Sequence, residues 1–223
     1  MENITRNLKT VQQSLGGRAR LVAVSKFHPA EAIEAAYAGG QRIFAESRAN
    51  ELAAKAATLP TDIEWHFIGH LQTNKVRRVV QWAHCIQSID SQRVMQAVND
   101  EAVKAGRRVD VLFQVHVAAE DTKTGFLPDE LYTLCRTTDM EAMPGIRVRG
   151  VMGMASNTDD EQRIADDFRA IRSVFDTLQH EMFSNIAEFD TVSMGMSHDF
   201  EQAIECGSTM VRVGTTIFGE REY

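Results

Sequence analysis

Eight short apolar runs recur along the chain, separated by longer stretches in which apolar residues return every three or four positions. The runs lie at Leu21–Val24, around Arg42-Ile43-Phe44, and at Trp65–Ile68, Cys85–Ile89, Val109–Val117, Val148–Met154, Thr191–Met194 and Met210–Val213. Runs of this kind, bounded by turn residues, predict strands buried on both faces. Segments 30–38, 46–57, 91–105 and 160–182, rich in Ala, Glu, Gln, Arg and Leu, predict amphipathic helices. A further helix over 2–15 precedes the first strand. Pro29 stands where a helix begins, Asn157, Thr158 and Asp159 supply a start signal, and Gly39-Gly40, Gly106 and Gly207 supply stops.

Strands alternating with helices predict a parallel sheet with crossover connections. For 223 residues a closed (β/α)8 TIM barrel is the economical solution, with a doubly wound open sheet as the alternative. No Pro/Gly/Ser-rich linker or break in composition divides the chain, so one domain over 1–223 is expected.

The net charge of −7 opposes binding to polyanions, so no nucleic-acid partner is expected, and the short basic cluster Lys75, Arg77 and Arg78 reads as a solvated helix face. No apolar stretch is long enough to span a membrane, and the polar N-terminus lacks a signal peptide's apolar core. Cys85, Cys135 and Cys206 are odd in number and far apart, which predicts free thiols and fits a reducing cytoplasm.

No metal is expected. His66 and His70 have a zinc-like spacing, but the first lies in a strand and no glutamate follows it. The ten methionines read as packing residues. Lys123-Thr124-Gly125 reads as a loop near the mouth with no chemistry assigned.

In either parallel architecture ligands bind at the C-terminal ends of the strands. Lys26 follows the first strand directly, where desolvation favours its nucleophilic amine over the ammonium; a solvated loop lysine is the plainer reading. The seventh strand runs into Ser193-Met194-Gly195-Met196-Ser197, with a helix expected from Ser197 or His198, and the eighth into Gly214-Thr215-Thr216. Hydroxyls and backbone N–H groups on adjacent strand ends suit a phosphate, although ordinary turn and capping chemistry would look the same. Arg212, inside the eighth apolar run, needs a partner, either a ligand's ring nitrogen or a carboxylate such as Glu46.

These segments, with His66-Phe67-Ile68-Gly69-His70-Leu71-Gln72-Thr73-Asn74-Lys75, Gly150–Ala155, Gly207–Thr215 and Phe218-Gly219-Glu220-Arg221, resemble the pyridoxal phosphate (PLP) homeostasis protein family, also called YggS-like. The matches run in order over nearly the whole chain. The resemblance implies a barrel of the alanine racemase N-terminal type, with PLP held as an internal Schiff base on Lys26. It places Arg212 at the pyridine nitrogen and Ser193, Gly214 and Thr215 at the phosphate, with Ser197 and the Met194 segment beside them. Many members read Phe-Gly-Glu-Asn where this chain has Phe44-Ala45-Glu46-Ser47; Ser47 retains a hydroxyl of shorter reach, and the Ala45 methyl would be strained if that position needed φ > 0.

The family is linked to intracellular PLP balance with no firmly assigned turnover, which implies a cytoplasmic, monomeric carrier. PLP-dependent or PLP-synthesising enzymes are its candidate partners. An amino-acid racemase is the alternative reading, but it needs a second acid/base opposite the lysine, and Tyr37, Tyr132 and Tyr223 lie at no strand end. A regulatory module that docks on such enzymes is the third.

Overall fold

The structure is a computed structural model that describes residues 2–117 and 124–220. Its eight strands, β1 (Arg20–Val24), β2 (Ile43–Glu46), β3 (Glu64–Phe67), β4 (Cys85–Ile89), β5 (Val109–Gln114), β6 (Ile146–Met152), β7 (Thr191–Ser193) and β8 (Met210–Val213), are all parallel and close in sequence order into a barrel. Closure runs through β1 and β8, with Val22 opposite Arg212. The open doubly wound alternative is thereby excluded.

Helix α1 (Glu2–Leu15) leads the chain, and α2 (Ala30–Ala38), α3 (Ala49–Ala56), α4 (Val76–Trp82), α5 (Gln92–Lys104), α6 (Pro128–Thr137), α7 (Glu161–Glu181), α8 (Phe200–Glu205) and α9 (Thr215–Phe218) follow the successive strands. In α1, Leu8, Val11 and Leu15 form one buried stripe, and Asn7 Nδ2 donates to Ile217 O at 3.2 Å, tying the first helix to the last.

The period of two along each strand separates two cores. Phe44, Phe67, Ile86, Val111, Phe113, Val192, Met194, Val211 and Val213 belong to the large cluster between strands and helices. Val22, Val24, Ala45 and Met210 form a smaller cluster inside the barrel. His66, Gln87, Ser193 and Arg212 share that interior, as a buried polar column described below.

Element boundaries depart from the sequence pattern where tertiary pairing overrides it. The predicted helix 46–57 starts at Ala49, because Glu46 remains in β2 opposite Phe67. Strand β5 stops at Gln114 despite apolar Val115, since the returning chain takes over with Phe126 N donating to Gln114 O and His116 N to Phe126 O. The helix after β7 begins at Phe200 rather than at Ser197 or His198, because Asp199 caps the preceding turn by accepting from Met196 N at 2.5 Å. Lys123 of the predicted mouth loop, with Arg221 and Tyr223, lies outside the described residues.

Gly150 in β6 has φ +147°, and a Cβ there would lie 1.8 Å from Thr191 O on β7. Gly150→Ala is expected to cost more than about 3 kcal/mol of stability. Urea denaturation measures this; an unchanged midpoint would contradict so close an approach of the two strands.

Candidate functional site

The β1–β2 ladder continues one residue past β1, with Ser25 N donating to Ala45 O at 3.0 Å. The chain then turns sharply at Lys26 and Phe27. Phe27 has φ +69°, the one non-glycine with positive φ among the described residues. Such backbone costs on the order of 1–3 kcal/mol and persists only when its surroundings fix it. Here Phe27 N donates to Glu51 Oε1 at 2.7 Å, the Arg48 guanidinium lies 4.5 Å over the Phe27 ring, and the His28 ring stacks on Phe218 at 5.1 Å.

Behind the turn sits a buried charge cluster. Lys55 Nζ donates to Glu46 Oε1 at 2.8 Å, to Glu51 Oε1 at 2.7 Å and to Ser25 O at 2.9 Å, while Ser25 Oγ donates to Glu46 Oε1 at 2.6 Å. One lysine therefore joins the end of β1, the end of β2 and α3. Glu46 Oε2 is buried with no hydrogen-bond partner, and burial pushes the Glu46 carboxyl up to about 7 against the opposing pull of Lys55. Glu46 thus points out of the barrel and is not the partner of Arg212. Ala45 points inward beside Val22, Val24 and Met210 and lacks positive φ, so its methyl is packing rather than strain.

Lys26 opens into a cavity of about 320 Å³ at the C-terminal mouth. Val24, Ile68, Met152 and Met154 give it apolar walls, and Arg212, Ser197, Gly214, Thr215 and His198 its polar groups. Ser197 Oγ accepts from Gly214 N at 3.1 Å, which joins the loops after β7 and β8.

Arg212 is buried and fixed. Nη1 donates to Ser193 O at 2.7 Å and to Ser193 Oγ at 2.8 Å, and Nη2 donates to Gly153 O at 2.9 Å. Burial pushes its guanidinium down to about 10, which still leaves it charged at neutral pH. From Ser193 the column continues through the barrel. Ser193 Oγ donates to Gln87 Oε1 at 2.7 Å, Gln87 Nε2 to His66 Nδ1 at 2.7 Å, and His66 Nε2 to Glu64 Oε1 at 3.0 Å. With His66 in the Nε2–H tautomer, every donor points the same way, from a cation at the mouth to a carboxylate at the opposite face. The hydrogen bond from His66 holds the Glu64 carboxyl below its ordinary range.

The structure thus brings Lys26, Ser197, Arg212, Gly214 and Thr215 to one cavity. Ser193 does not line it; it is fully buried beneath and acts on Arg212. The Met194 side chain faces the helices, because it is one residue out of phase with inward Ser193. Ser47 lines a neighbouring cavity on the other side of the β1 turn.

Glu51, Lys55 and Gln87 went unnoticed in the sequence. The i,i+4 spacing of Glu51 and Lys55 was a legible pair, and Gln87 was a polar residue in the middle of a fully buried strand.

Over residues 1–222 the chain matches the family described as "Alanine racemase, N-terminal domain". A pyridoxal phosphate homeostasis protein of Pasteurella multocida is 35% identical over 99% of this chain and 98% of its own length. The chain belongs to the pyridoxal phosphate homeostasis protein family. The structure of PipY of Synechococcus elongatus with PLP bound superposes with a TM-score of 0.88 at 33% identity, over 97% of this chain and all of that one. Alanine racemase of Corynebacterium glutamicum shares the barrel alone, with a TM-score of 0.76 at 16% identity; the match covers 100% of this chain and 62% of the racemase.

The raised Glu46 carboxyl has a consequence for stability. Its folded value of about 7 exceeds the ordinary 4.5, so the folded state takes up a proton in that interval. The corresponding stability is fully present below about pH 4.5 and is lost as pH rises through about 7. Glu46→Gln is expected to flatten the fall in urea stability between pH 5 and pH 8 by about 2–3 kcal/mol. A wild-type profile already flat over that range would contradict the assignment.

Proposed function

We propose that this chain holds PLP as a Schiff base on Lys26 and serves as a cytoplasmic, monomeric carrier and buffer of the cofactor rather than as an enzyme. The observation that carries the reading is one cavity lined by a lysine on a braced turn, a fixed buried arginine, and hydroxyls from two adjacent strand ends. PipY, with PLP bound, and the named homeostasis relatives support it.

The residues fit the group. The cavity is within the size range of small-molecule sites. Ser197 Oγ and the Thr215 hydroxyl are the phosphate donors, and the Gly214 N–H, which donates to Ser197 Oγ, aims that hydroxyl. Arg212 would hold the pyridine nitrogen; Ser193 and Gly153 keep its guanidinium in place, so Ser193 is a positioning residue rather than a phosphate ligand. Met194 does not line the cavity, its backbone N–H and C=O being taken by Met210 and Ser208, and Ser47 approaches from the adjoining one.

Bound PLP supplies a masked aldehyde and an electron-withdrawing ring. Arg212, charged at neutral pH, would disfavour protonation of a ring nitrogen set against it, which favours holding over carbanion chemistry. Turnover as a racemase would need a second acid/base opposite Lys26. The Tyr37 hydroxyl donates to Asp62 instead, and His198, the one imidazole lining the cavity among the described residues, is exposed and lies 3.3 Å from Asp199.

The same reading takes 1–223 as one domain, with PLP-dependent or PLP-synthesising enzymes as recipients. No helix among the described residues is long and apolar enough to cross a membrane.

Borohydride reduction of the PLP-loaded protein followed by peptide mapping is expected to place a phosphopyridoxyl group on the Lys26 peptide and none there in Lys26→Ala. The loaded protein should pass PLP to an apo-enzyme, with no sustained exchange of the α-proton of alanine. A colourless protein without an adduct overturns the binding reading, and sustained exchange that depends on Lys26 overturns the carrier reading.

A further inference from the structure

A second cavity lies on the opposite side of the same β1 turn. It measures about 990 Å³, against about 320 Å³ for the Lys26 cavity; Phe27 lines the larger one and Lys26 the smaller. Its floor is apolar, from Phe27, Phe67 and Ala49. Its geometry is fixed at the base, where β2 and β3 end: a Cβ on Gly69 would lie 2.0 Å from Ser47 O, so the two loops pack backbone to backbone.

The charges at this cavity oppose those of the whole molecule. The chain carries a net −7, yet Arg48 and Lys75 line the cavity and pair with no carboxylate among the described residues. The one carboxylate in the lining, Glu51, is already taken by Lys55 Nζ and Phe27 N, each at 2.7 Å. Of the two histidines there, His70 is held by Asp90 at 2.9 Å. The Arg48 side chain is exposed, but it is placed by the Phe27 ring, whose centroid lies 4.5 Å from its guanidinium carbon. That leaves its N–H edge for a ligand.

Segment 66–75 strengthens the case. It sends only Ile68 to the Lys26 cavity, whereas Phe67, His70, Gln72 and Lys75 line this one. The short basic cluster that reads as a solvated helix face in the sequence therefore begins at the rim of a cavity.

We propose that this cavity binds a small dianion with a flat or short apolar body, a phosphate monoester or a dicarboxylate. Two uncompensated cations match two negative charges, and the phenylalanines accept the body. The proposal stands whether or not PLP occupies the Lys26 cavity. A ligand here would touch Phe27 and Arg48, the residues that brace the turn next to Lys26.

Calorimetric titration of the purified protein with phenyl phosphate and with glutarate tests it. Saturable one-to-one binding of at least one of them is expected, with a Kd of about 1 mM or tighter. Arg48→Ala and Lys75→Ala should each weaken it about tenfold. Thr215→Val, in the Lys26 cavity, should leave it unchanged. Binding of phenyl phosphate alone identifies a phosphate-ester site, of glutarate alone a dicarboxylate site, and of both a general dianion site. No saturable binding of either up to about 20 mM overturns the proposal. So does binding that survives the Arg48→Ala/Lys75→Ala pair and is lost in Thr215→Val. A failure to form the Lys26 adduct is read separately and touches only the PLP assignment.

Discussion

Lys55 brings a buried ammonium into contact with three oxygens that belong to different parts of the chain: Glu46 of β2, Glu51 of its own helix and the Ser25 carbonyl beyond β1. Removing one partner from such a cluster costs about 3–5 kcal/mol, because the remaining charge is left buried. The cluster is therefore an obligatory junction, and the geometry at the mouth follows from it. Glu51, fixed by Lys55, accepts the Phe27 N–H; Phe27 is thereby held at positive φ. That backbone directs Lys26 to one side of the turn and Phe27 to the other, which divides the mouth into two cavities.

The opposite wall of the Lys26 cavity depends on a second buried polar system, the column from Arg212 through Ser193, Gln87 and His66 to Glu64. It satisfies inside an otherwise apolar barrel the polar groups that burial would make costly. Its uniform donor direction also suits a charged guanidinium at the mouth. One cluster braces the turn that carries the lysine and the other fixes the arginine, and apart from Arg212 itself their members lie outside the cavity. Substitutions at Glu51 or Gln87 would thus act on a ligand that neither residue touches.

Much of this fold was legible in the sequence, because a parallel barrel writes each strand as an apolar run and each crossover as a three-to-four-residue periodicity. The boundaries were less legible where partners distant in sequence set them. Glu46 extends β2 although it is charged, and Val115 leaves β5 although it is apolar. Within the site, strand phase alone would have sent Ser193 inward and Met194 outward. Ser47 could not be placed from sequence, since the side of the β1 turn it faces depends on the packing of Gly69. The ligand's identity came from motifs read together; Lys26 or Arg212 alone was compatible with a solvated loop or a buried ion pair.

On the proposed reading, Glu51, through the Phe27 N–H, presents Lys26 to PLP. The most direct measurement is the rate of borohydride-trapped labelling of Lys26 by PLP in Glu51→Ala and Glu51→Gln, with the fold verified by circular dichroism. Glu51→Ala is expected to fold yet to be labelled about tenfold more slowly, as loss of a near-attack geometry implies. Glu51→Gln, which keeps an acceptor oxygen, should retain most of the rate. A folded Glu51→Ala protein labelled as fast as the native one would rule out this role for Glu51.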